Sequence, residues 1–334
     1  MLAARVEIAK ELETIKASID PRKVIVVLAY IVVSISITFF NKAVLSGYDF
    51  HYANTLSLVQ VLCSSTLLLW LRRMNVPRNA APLSLKHARA CLPLAICFAG
   101  MLVTGLSGLQ YSMLLAYSAW RGAVPLVVLL CEQIFLRSNT SPSIVGATVM
   151  IVGGMVIGNL LEHLTVSALG MSLIAANCVF TALYLVLIKK ISRDLKLDSL
   201  TLMLYNDILS LPSLLLLVIW SELGSLTSFG HWTSPLFLMC LLMSVGQSFL
   251  LNLFIFLCTT INTALTTSVA AESKNLLITM GALVVTTEPT LSMWMGVSIS
   301  LLGTVWFLYS KYVTAANAAL QQASESEEER RVDV

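Results

Sequence analysis

Three cations inside or beside apolar segments are the residues of this chain that most suggest chemistry. Arg121 lies in SAWRGAVP, Lys274 lies in AAESKNL, and Lys42 lies at the end of the first apolar segment in FFNKAVL. A cation in lipid is costly unless it faces a cavity, a partner or a ligand. Guanidinium and ammonium groups together suit phosphate oxygens, so we predict that Arg121 and Lys274 bind an anion. Lys42 either guards an entrance to that site or extends to the membrane interface with no further role.

Arg121 and Lys274 also have a plainer interpretation, which is neutralisation within the protein. Three acidic residues are candidates for this pairing: Glu132, Asp207 and Glu272. Internal pairing and ligand contact are compatible, because an empty site can keep its cations paired.

Further polar residues lie on the seventh and ninth apolar segments, in the sequences LYND and NTALTTSVAAESKN. A tyrosine supplies a stacking face with a polar tip, and an asparagine supplies donors and acceptors, as recognition of a base or ribose requires. The alternative is that these groups form hydrogen bonds between packed helices. Besides Lys274, the candidate ligand contacts in these sequences are Tyr205, Asn206, Asp207, Thr267, Glu272 and Asn275.

The composition requires a membrane to position these residues. Of 334 residues, 57% are hydrophobic and 12% are charged, whereas a soluble domain has about 25% charged residues. Because about 20 apolar residues cross a bilayer as a helix, we predict an all-α polytopic membrane protein embedded in the lipid bilayer. Residues 1–23 form a polar tail, and residues 313–334 form an acidic tail that we predict to be disordered. The ten predicted spans are 24–45, 50–71, 90–111, 114–136, 143–161, 166–188, 199–221, 235–257, 262–285 and 291–311.

Lysines and arginines are distributed unevenly between the connections. The chain has 21 lysines and arginines. Apart from the three cations named above, all of them lie in or next to the two tails or in the even-numbered connections. The odd-numbered connections contain none. Since such residues stay on the cytosolic side, both termini are predicted to be cytosolic.

A faint internal repeat divides the chain into two halves of five spans, residues 24–161 and 166–311. Gly146 and Gly153 in the fifth span have counterparts 150 residues later, in Gly296 and Gly303 of the tenth span. Lys42 and Lys189, at the ends of the first and sixth spans, are related by nearly the same offset. Repeats of five spans must be inverted in the membrane, as in many secondary transporters. Glycines seven residues apart can also simply pack helices together.

Motifs for other functions are missing from the sequence. The seven cysteines form no CxxC pair, and no Cys/His cluster has metal-ligand spacing. We find no P-loop and no nucleophile–base motif, and no basic and aromatic patch for nucleic acid. The chain is therefore not expected to be an enzyme, to need a cofactor or to bind nucleic acid.

Four sequences together resemble the nucleotide-sugar transporters of the drug/metabolite transporter superfamily. They are FFNKAVL, the arginine followed by Pro125, LYND, and INTALTTSVAAESKNL. The resemblance covers essentially the whole chain. In the ninth span it is closest to the branch that carries UDP-sugars, with the GDP-mannose transporters as neighbours.

The resemblance implies ten helices in two inverted halves, and exchange of a cytosolic nucleotide sugar for a luminal nucleoside monophosphate. By this resemblance, Tyr205 and Asn206 match a motif that contacts the nucleotide. Lys274 and Asn275 match the last two residues of a motif that contacts the sugar and the phosphate. The chain departs from the family pattern at Asp207, which replaces the second asparagine of the GDP-mannose version. It departs again at Ala271-Glu272, where the family has Gly-Ala, and this second change argues against GDP-mannose as the cargo.

The expected function is thus a nucleotide-sugar antiporter, with UDP-sugars favoured. The resemblance implies a Golgi or endoplasmic-reticulum membrane, and the C-terminal RRVDV, which lacks a dilysine retrieval signal, favours the Golgi. Two alternatives stay open: a sugar-phosphate/phosphate translocator of the same superfamily, and a non-transporting membrane partner protein with this fold. The sequence also leaves the oligomeric state open, with a homodimer as one form.

Overall fold

A computed structural model describes residues 20–48, 50–76, 81–111, 120–160, 167–226, 229–285 and 291–332. Over these ranges the chain is all-helical, and seven of its helices are long and apolar enough to cross a membrane. This confirms the predicted all-α membrane protein. The main helices are α1 Pro21–Lys42, α2 Ala53–Arg73, α3 Leu85–Gln110, α4 Val124–Leu136, α5 Pro142–Leu160, α6 Ala168–Leu195, α7 Ser199–Ser221, α8 Pro235–Ile261, α9 Ala264–Val285 and α10 Leu291–Val332.

Several helices begin at a polar residue that caps their first turn. Asp20 accepts a hydrogen bond from the Arg22 backbone N–H (3.0 Å), and Asp198 accepts one from the Thr201 N–H (3.0 Å). Ser84 caps α3 in the same way, because its hydroxyl accepts a hydrogen bond of 3.2 Å from the His87 backbone N–H. Such caps satisfy backbone donors that the helix itself leaves free. Because Ser84 caps α3, this helix begins five residues before its predicted start at residue 90.

The acidic C-terminal segment is helical, and the prediction of disorder was wrong for residues up to 332. Helix α10 is 42 residues long and runs from Leu291 to Val332. No glycine or proline follows Gly303, and the segment is rich in alanine, glutamine, glutamate and arginine. These residues favour a helix, so nothing in the segment stops α10 at the membrane surface.

Helices α5 and α10 form the most extensive contact between two helices in the described part of the chain. Gly154 packs directly on the backbone of α10, beside Gly296 and Ser300. Other close pairs are α3 with α6, α1 with α8, and α2 with α7. The main apolar core lies mostly among α3, α4, α6 and α7.

Two buried glutamates tie distant helices together by capping their first turns. Glu222, just after α7, accepts hydrogen bonds from the Asn54 N–H (2.8 Å) and from the Thr55 N–H (2.7 Å) at the start of α2. Glu132 in α4 accepts one from the Leu265 N–H (3.0 Å) at the start of α9. A carboxylate is favourable at a helix N-terminus. Glu132, which was one candidate partner for Arg121 and Lys274, is therefore placed at the first turn of α9.

Candidate functional site

Arg121, Glu272 and Lys274 form one charged cluster inside the bundle. Arg121 lies in the short helical segment immediately before α4, whereas Glu272 and Lys274 lie in α9. The Glu272 carboxylate interacts electrostatically with both Arg121 and Lys274, and the two cations also interact with each other. The structure thus brings together the two cations that the sequence analysis assigned to a common ligand.

Side chains from two other helices complete the surroundings of this cluster. The Tyr30 hydroxyl of α1 interacts electrostatically with Arg121 and Glu272, and it is hydrogen-bonded to Ser34 one turn later. Cys178 of α6 also lies within electrostatic range of Arg121 and Glu272. The site is therefore enclosed by α1, α6, α9 and the segment before α4.

Burial makes the charges of this cluster interact strongly. Glu272 is 5% exposed and Tyr30 is 5% exposed, while Arg121 and Lys274 are half-buried. Electrostatic interactions gain strength in such a low-dielectric environment. With two cations and one carboxylate, the cluster carries an excess of one positive charge, which favours an anionic ligand.

Asn275, another predicted site residue, acts directly on Glu272. Its side-chain amide Nδ2 donates a hydrogen bond of 3.0 Å to Glu272 Oε2. The two residues are three positions apart, which places them on the same face of α9. Asn275 therefore fixes the orientation of the carboxylate within the cluster.

Asn206 and Asp207 form a second polar group, buried among α2, α6 and α7. Asp207 Oδ2 accepts a hydrogen bond of 2.5 Å from the Ser64 hydroxyl. Asp207 Oδ1, Asn206 Oδ1 and the Tyr184 hydroxyl have no hydrogen-bond partner among the described residues, and Tyr184 interacts electrostatically with Asp207. Buried polar atoms are normally satisfied. This group therefore has free acceptors for the donors of a ligand or of water.

Tyr205 makes contacts within the protein that the sequence did not reveal. Its hydroxyl accepts a hydrogen bond from the Ser84 N–H (2.8 Å) and donates one to the Ser84 carbonyl (3.3 Å). Its ring packs edge-to-face on His87. Ser84 begins α3, whereas the segment that carries Arg121 follows the other end of that helix. Tyr205 of α7 is thus hydrogen-bonded to the start of α3.

Two further predicted site residues are Thr267 and Lys42. Thr267 accepts a hydrogen bond from the Thr259 hydroxyl (3.0 Å) and donates one to the Thr263 carbonyl (3.3 Å), so it joins α8 to α9. The backbone of Lys42 ends α1, and its side chain lies outside the described part of the chain.

We predict that Tyr205→Phe lowers stability without changing ligand affinity. The phenylalanine keeps the ring but removes both hydrogen bonds to Ser84, at a cost of about 1–2 kcal/mol. The melting temperature in detergent should fall by a few degrees, while the KM for transport changes by less than about twofold. Tyr309→Phe, on a 65% exposed residue of α10, is the control that should leave the melting temperature unchanged. A large rise in KM at an unchanged melting temperature would instead favour direct contact of Tyr205 with the ligand.

A second charged network, which the sequence analysis missed, surrounds the connection between α8 and α9. Lys189 Nζ donates hydrogen bonds to the Thr260 and Asn262 carbonyls, both at 2.6 Å. Lys311 Nζ donates to the hydroxyls of Thr263 (3.1 Å) and Thr266. Glu132 interacts electrostatically with both lysines. We call this set the Lys189–Lys311 network. In the sequence, Lys311 had served only as a marker of topology, and Lys189 as a marker of topology and of the internal repeat.

The fold and the site together define a class of protein. Large apolar side chains cover the outside of the bundle, including Trp220, Leu242 and Leu291, while the cluster of Arg121, Glu272 and Lys274 lies inside it. Buried charges within a helical bundle mark substrate or ion pathways. This is the arrangement of a multi-pass membrane transporter. Residues 22–310 match the profile of the Triose-phosphate Transporter family, so the chain belongs to that family and is a transporter rather than an enzyme.

Characterised relatives agree with the resemblance seen in the sequence. UDP-galactose/UDP-glucose transporter 7 of Arabidopsis thaliana is 29% identical over 306 residues, covering 89% of this chain and 94% of that protein. GDP-mannose transporter 2 of Neosartorya fischeri is 24% identical over 214 residues, covering 59% of this chain and 60% of that protein. The predicted similarity to the UDP-sugar branch, with GDP-mannose transporters as more distant neighbours, is thus confirmed.

A solved crystal structure shares the fold. It is 12% identical in sequence, superimposes with a TM-score of 0.65, and is matched over 98% of its length by 87% of this chain. At this identity the likeness concerns the fold alone.

Proposed function

We propose that this protein is a nucleotide-sugar transporter of the Golgi membrane that exchanges a cytosolic UDP-sugar for luminal UMP. The observation that carries the proposal is the buried cluster of Arg121 and Lys274, whose excess positive charge suits a phosphorylated ligand. Guanidinium and ammonium groups together can bind the oxygens of a diphosphate. The relatives named as UDP-sugar transporters support the choice of uridine.

The nucleoside has a recognition group at a suitable distance from these cations. Cys178 lies beside Arg121, and Tyr184 lies beside Asp207. Both residues are on α6, six positions apart, which corresponds to about 9 Å along a helix. A nucleotide has a comparable length from its phosphate to its base. The free oxygens of Asn206 and Asp207 would then accept hydrogen bonds from the N–H of uracil or from the ribose hydroxyls.

Helix pairing supports two inverted repeats of five helices, residues 24–161 and 166–311. Each helix of one half can be exchanged for its counterpart in the other half, so that α1 corresponds to α6, α2 to α7, α3 to α8 and α4 to α9. The pair α3–α6 then becomes α8–α1, the pair α4–α6 becomes α9–α1, and the pair α3–α7 becomes α8–α2. All of these pairs are in contact. Transporters built from inverted repeats bind substrate at the repeat interface and alternate access by rocking one half against the other. The charged cluster, which joins the segment before α4 to α9, is at such an interface.

Contacts at the two ends of the bundle are suited to act as gates. With cytosolic termini, the Lys189–Lys311 network lies on the cytosolic side and ties the start of α9 to α4, α6 and α10. The luminal side is packed by an aromatic cluster in which Phe50 meets Phe229, Trp232 and Phe237 at centroid distances of 5.0–5.8 Å. Opening either side requires its contacts to separate. Lys42, the counterpart of Lys189 in the first repeat, would assist the luminal gate.

Thermal stabilisation by ligands separates this proposal from its alternatives. A ligand that binds only the folded state adds about 2.7 kcal/mol of stability at 100 times its Kd. We expect UMP and UDP-glucose to raise the melting temperature of the detergent-solubilised protein, and glucose 6-phosphate to have little effect. A sugar-phosphate translocator would give the reverse order, and a non-transporting relative would respond to none of them.

The variant Asn206→Ala makes this experiment specific to the nucleoside. It removes one free acceptor from the second polar group but leaves Arg121 and Lys274 in place. Stabilisation by UMP should shrink, while any stabilisation by inorganic pyrophosphate should remain. Equal loss for both ligands would contradict the division of the site into a phosphate part and a nucleoside part.

A further inference from the structure

Glu272 has a charge opposite to that which an anion site needs. The side chain is 5% exposed, and it interacts electrostatically with Arg121 and Lys274. Its one hydrogen bond from an amide comes from Asn275, at 3.0 Å. This carboxylate is therefore stabilised by the Asn275 amide and by the two cations that a diphosphate would use.

Binding of a diphosphate changes the situation of Glu272. The phosphate oxygens compete with the carboxylate for Arg121 and Lys274, while Glu272 stays buried. A buried carboxylate that loses its counter-ions is strongly destabilised unless other donors reach it. The Asn275 amide does not replace both cations, so a cargo that brings further hydrogen-bond donors to Glu272 is favoured, and the phosphates have none to give.

The sugar of a nucleotide sugar is the part of the cargo that can supply these donors. It is bonded directly to the diphosphate, so it enters the same part of the site as Arg121 and Lys274. A neutral hexose or N-acetylhexosamine offers hydroxyl or amide hydrogens to a carboxylate. A sugar acid instead brings a second carboxylate into a buried space, and like charges placed together there are strongly unfavourable.

We propose that Glu272 is a specificity-determining residue, which accepts hydrogen bonds from a neutral sugar and excludes nucleotide sugars whose sugar carries a carboxylate. The inference rests on the proposed function, because it takes the diphosphate to bind Arg121 and Lys274. It differs from a role as mere counter-ion, since a counter-ion would affect neutral and acidic sugars alike.

The test uses proteoliposomes that contain UMP and compares UDP-glucose with UDP-glucuronate, which differ by one carboxylate. We expect kcat/KM for UDP-glucose to exceed that for UDP-glucuronate at least tenfold in the unmodified protein. Glu272→Gln keeps the shape but removes the charge, so it should reduce this ratio to about threefold or less. Glu222→Gln, at a buried glutamate that caps α2, is the matched control, and it should leave the ratio unchanged.

A ligand variant tests the inference without altering the protein. The methyl ester of UDP-glucuronate keeps the size of the sugar acid but is neutral there, so it should compete with UDP-glucose uptake where UDP-glucuronate does not. Equal transport of UDP-glucose and UDP-glucuronate, with UMP exchange intact, would overturn the inference and leave the proposed function standing. An unchanged ratio in Glu272→Gln would also overturn it. Failure of UMP to exchange with itself or with any UDP-sugar would overturn the proposed function and the inference together.

Discussion

Replacement of Lys274 by alanine is expected to abolish nucleotide exchange while the amount of folded protein in the membrane stays the same. Lys274 and Arg121 together exceed the charge of Glu272 by one. Without Lys274, the remaining arginine and carboxylate neutralise each other, and the site loses its attraction for phosphate. Truncation of a buried charged partner typically costs about 3 kcal/mol, which corresponds to a rate more than about 100-fold lower.

The matched control for this variant is Lys190→Ala. The Lys190 ammonium group makes a cation–π contact with the ring of Phe135, and its Nζ lies 5.8 Å from the ring centroid. It therefore tests the loss of one lysine without touching the charged cluster. Initial rates of UMP/UDP-sugar exchange in proteoliposomes, normalised to monodisperse protein, should be near the unmodified value for Lys190→Ala. A similar rate for Lys274→Ala would remove Lys274 from the site.

The variant Gly154→Ala is expected to destabilise the protein strongly. A Cβ atom at this position would lie 2.6 Å from the Ser300 backbone nitrogen and 2.7 Å from the Gly296 carbonyl oxygen of α10. Backbone cannot move aside as a side chain can, so α5 and α10 would have to separate. We expect a loss of about 3 kcal/mol, measured as a lower melting temperature and a lower yield of monodisperse protein.

Gly153→Ala, one residue earlier on the same helix, provides the control. A Cβ atom there would meet nothing within 4 Å, and alanine is a better helix former than glycine by about 1 kcal/mol. This variant should match or exceed the unmodified protein in stability. Equal melting temperatures for the two alanine variants would contradict the close approach of α5 and α10 at Gly154.

The glycines show what a spacing pattern can and cannot predict. Gly146, Gly296 and Gly303, picked out by their repeat, all face the contact between α5 and α10, where added Cβ atoms would meet neighbouring atoms. Gly153 belongs to the same pattern but has open space around it. Gly154, outside the pattern, makes the close contact. Spacing identifies the packed pair of helices, but the rotation of each helix depends on tertiary packing.

The position of the spans and the composition of the charged cluster could be read from the sequence. Apolar length predicted where the long helices lie, and seven of the described helices are long and apolar enough to cross a membrane. Arg121 and Lys274 stood out because cations in apolar segments are rare. Their pairing with Glu272 was one of three alternatives, and in the structure Glu272 interacts electrostatically with both.

Contacts between distant parts of the chain could not be predicted. Glu222 caps a helix through Thr55, which lies 167 residues earlier, and Glu132 caps one through Leu265, which lies 133 residues later. Nothing near these glutamates marks the partner. Tyr205 was assigned to the nucleoside by its motif, whereas its hydrogen bonds to Ser84 depend on how α3 and α7 pack. Tyr30 and Ser34 lie beside the charged cluster but were not predicted to do so. They are polar residues one turn apart on α1, and this spacing could have indicated that they face the site.

Exchange itself is the property that tests the account most directly. The purified protein would be reconstituted into liposomes loaded with UMP, GMP, CMP, AMP or no nucleotide, and uptake of radiolabelled nucleotide sugars would be measured. The account predicts uptake of a UDP-sugar that depends on internal UMP and is negligible in empty liposomes. Uptake that is independent of any internal nucleotide, or that occurs only with sugar phosphates, from protein shown to be folded, would contradict it.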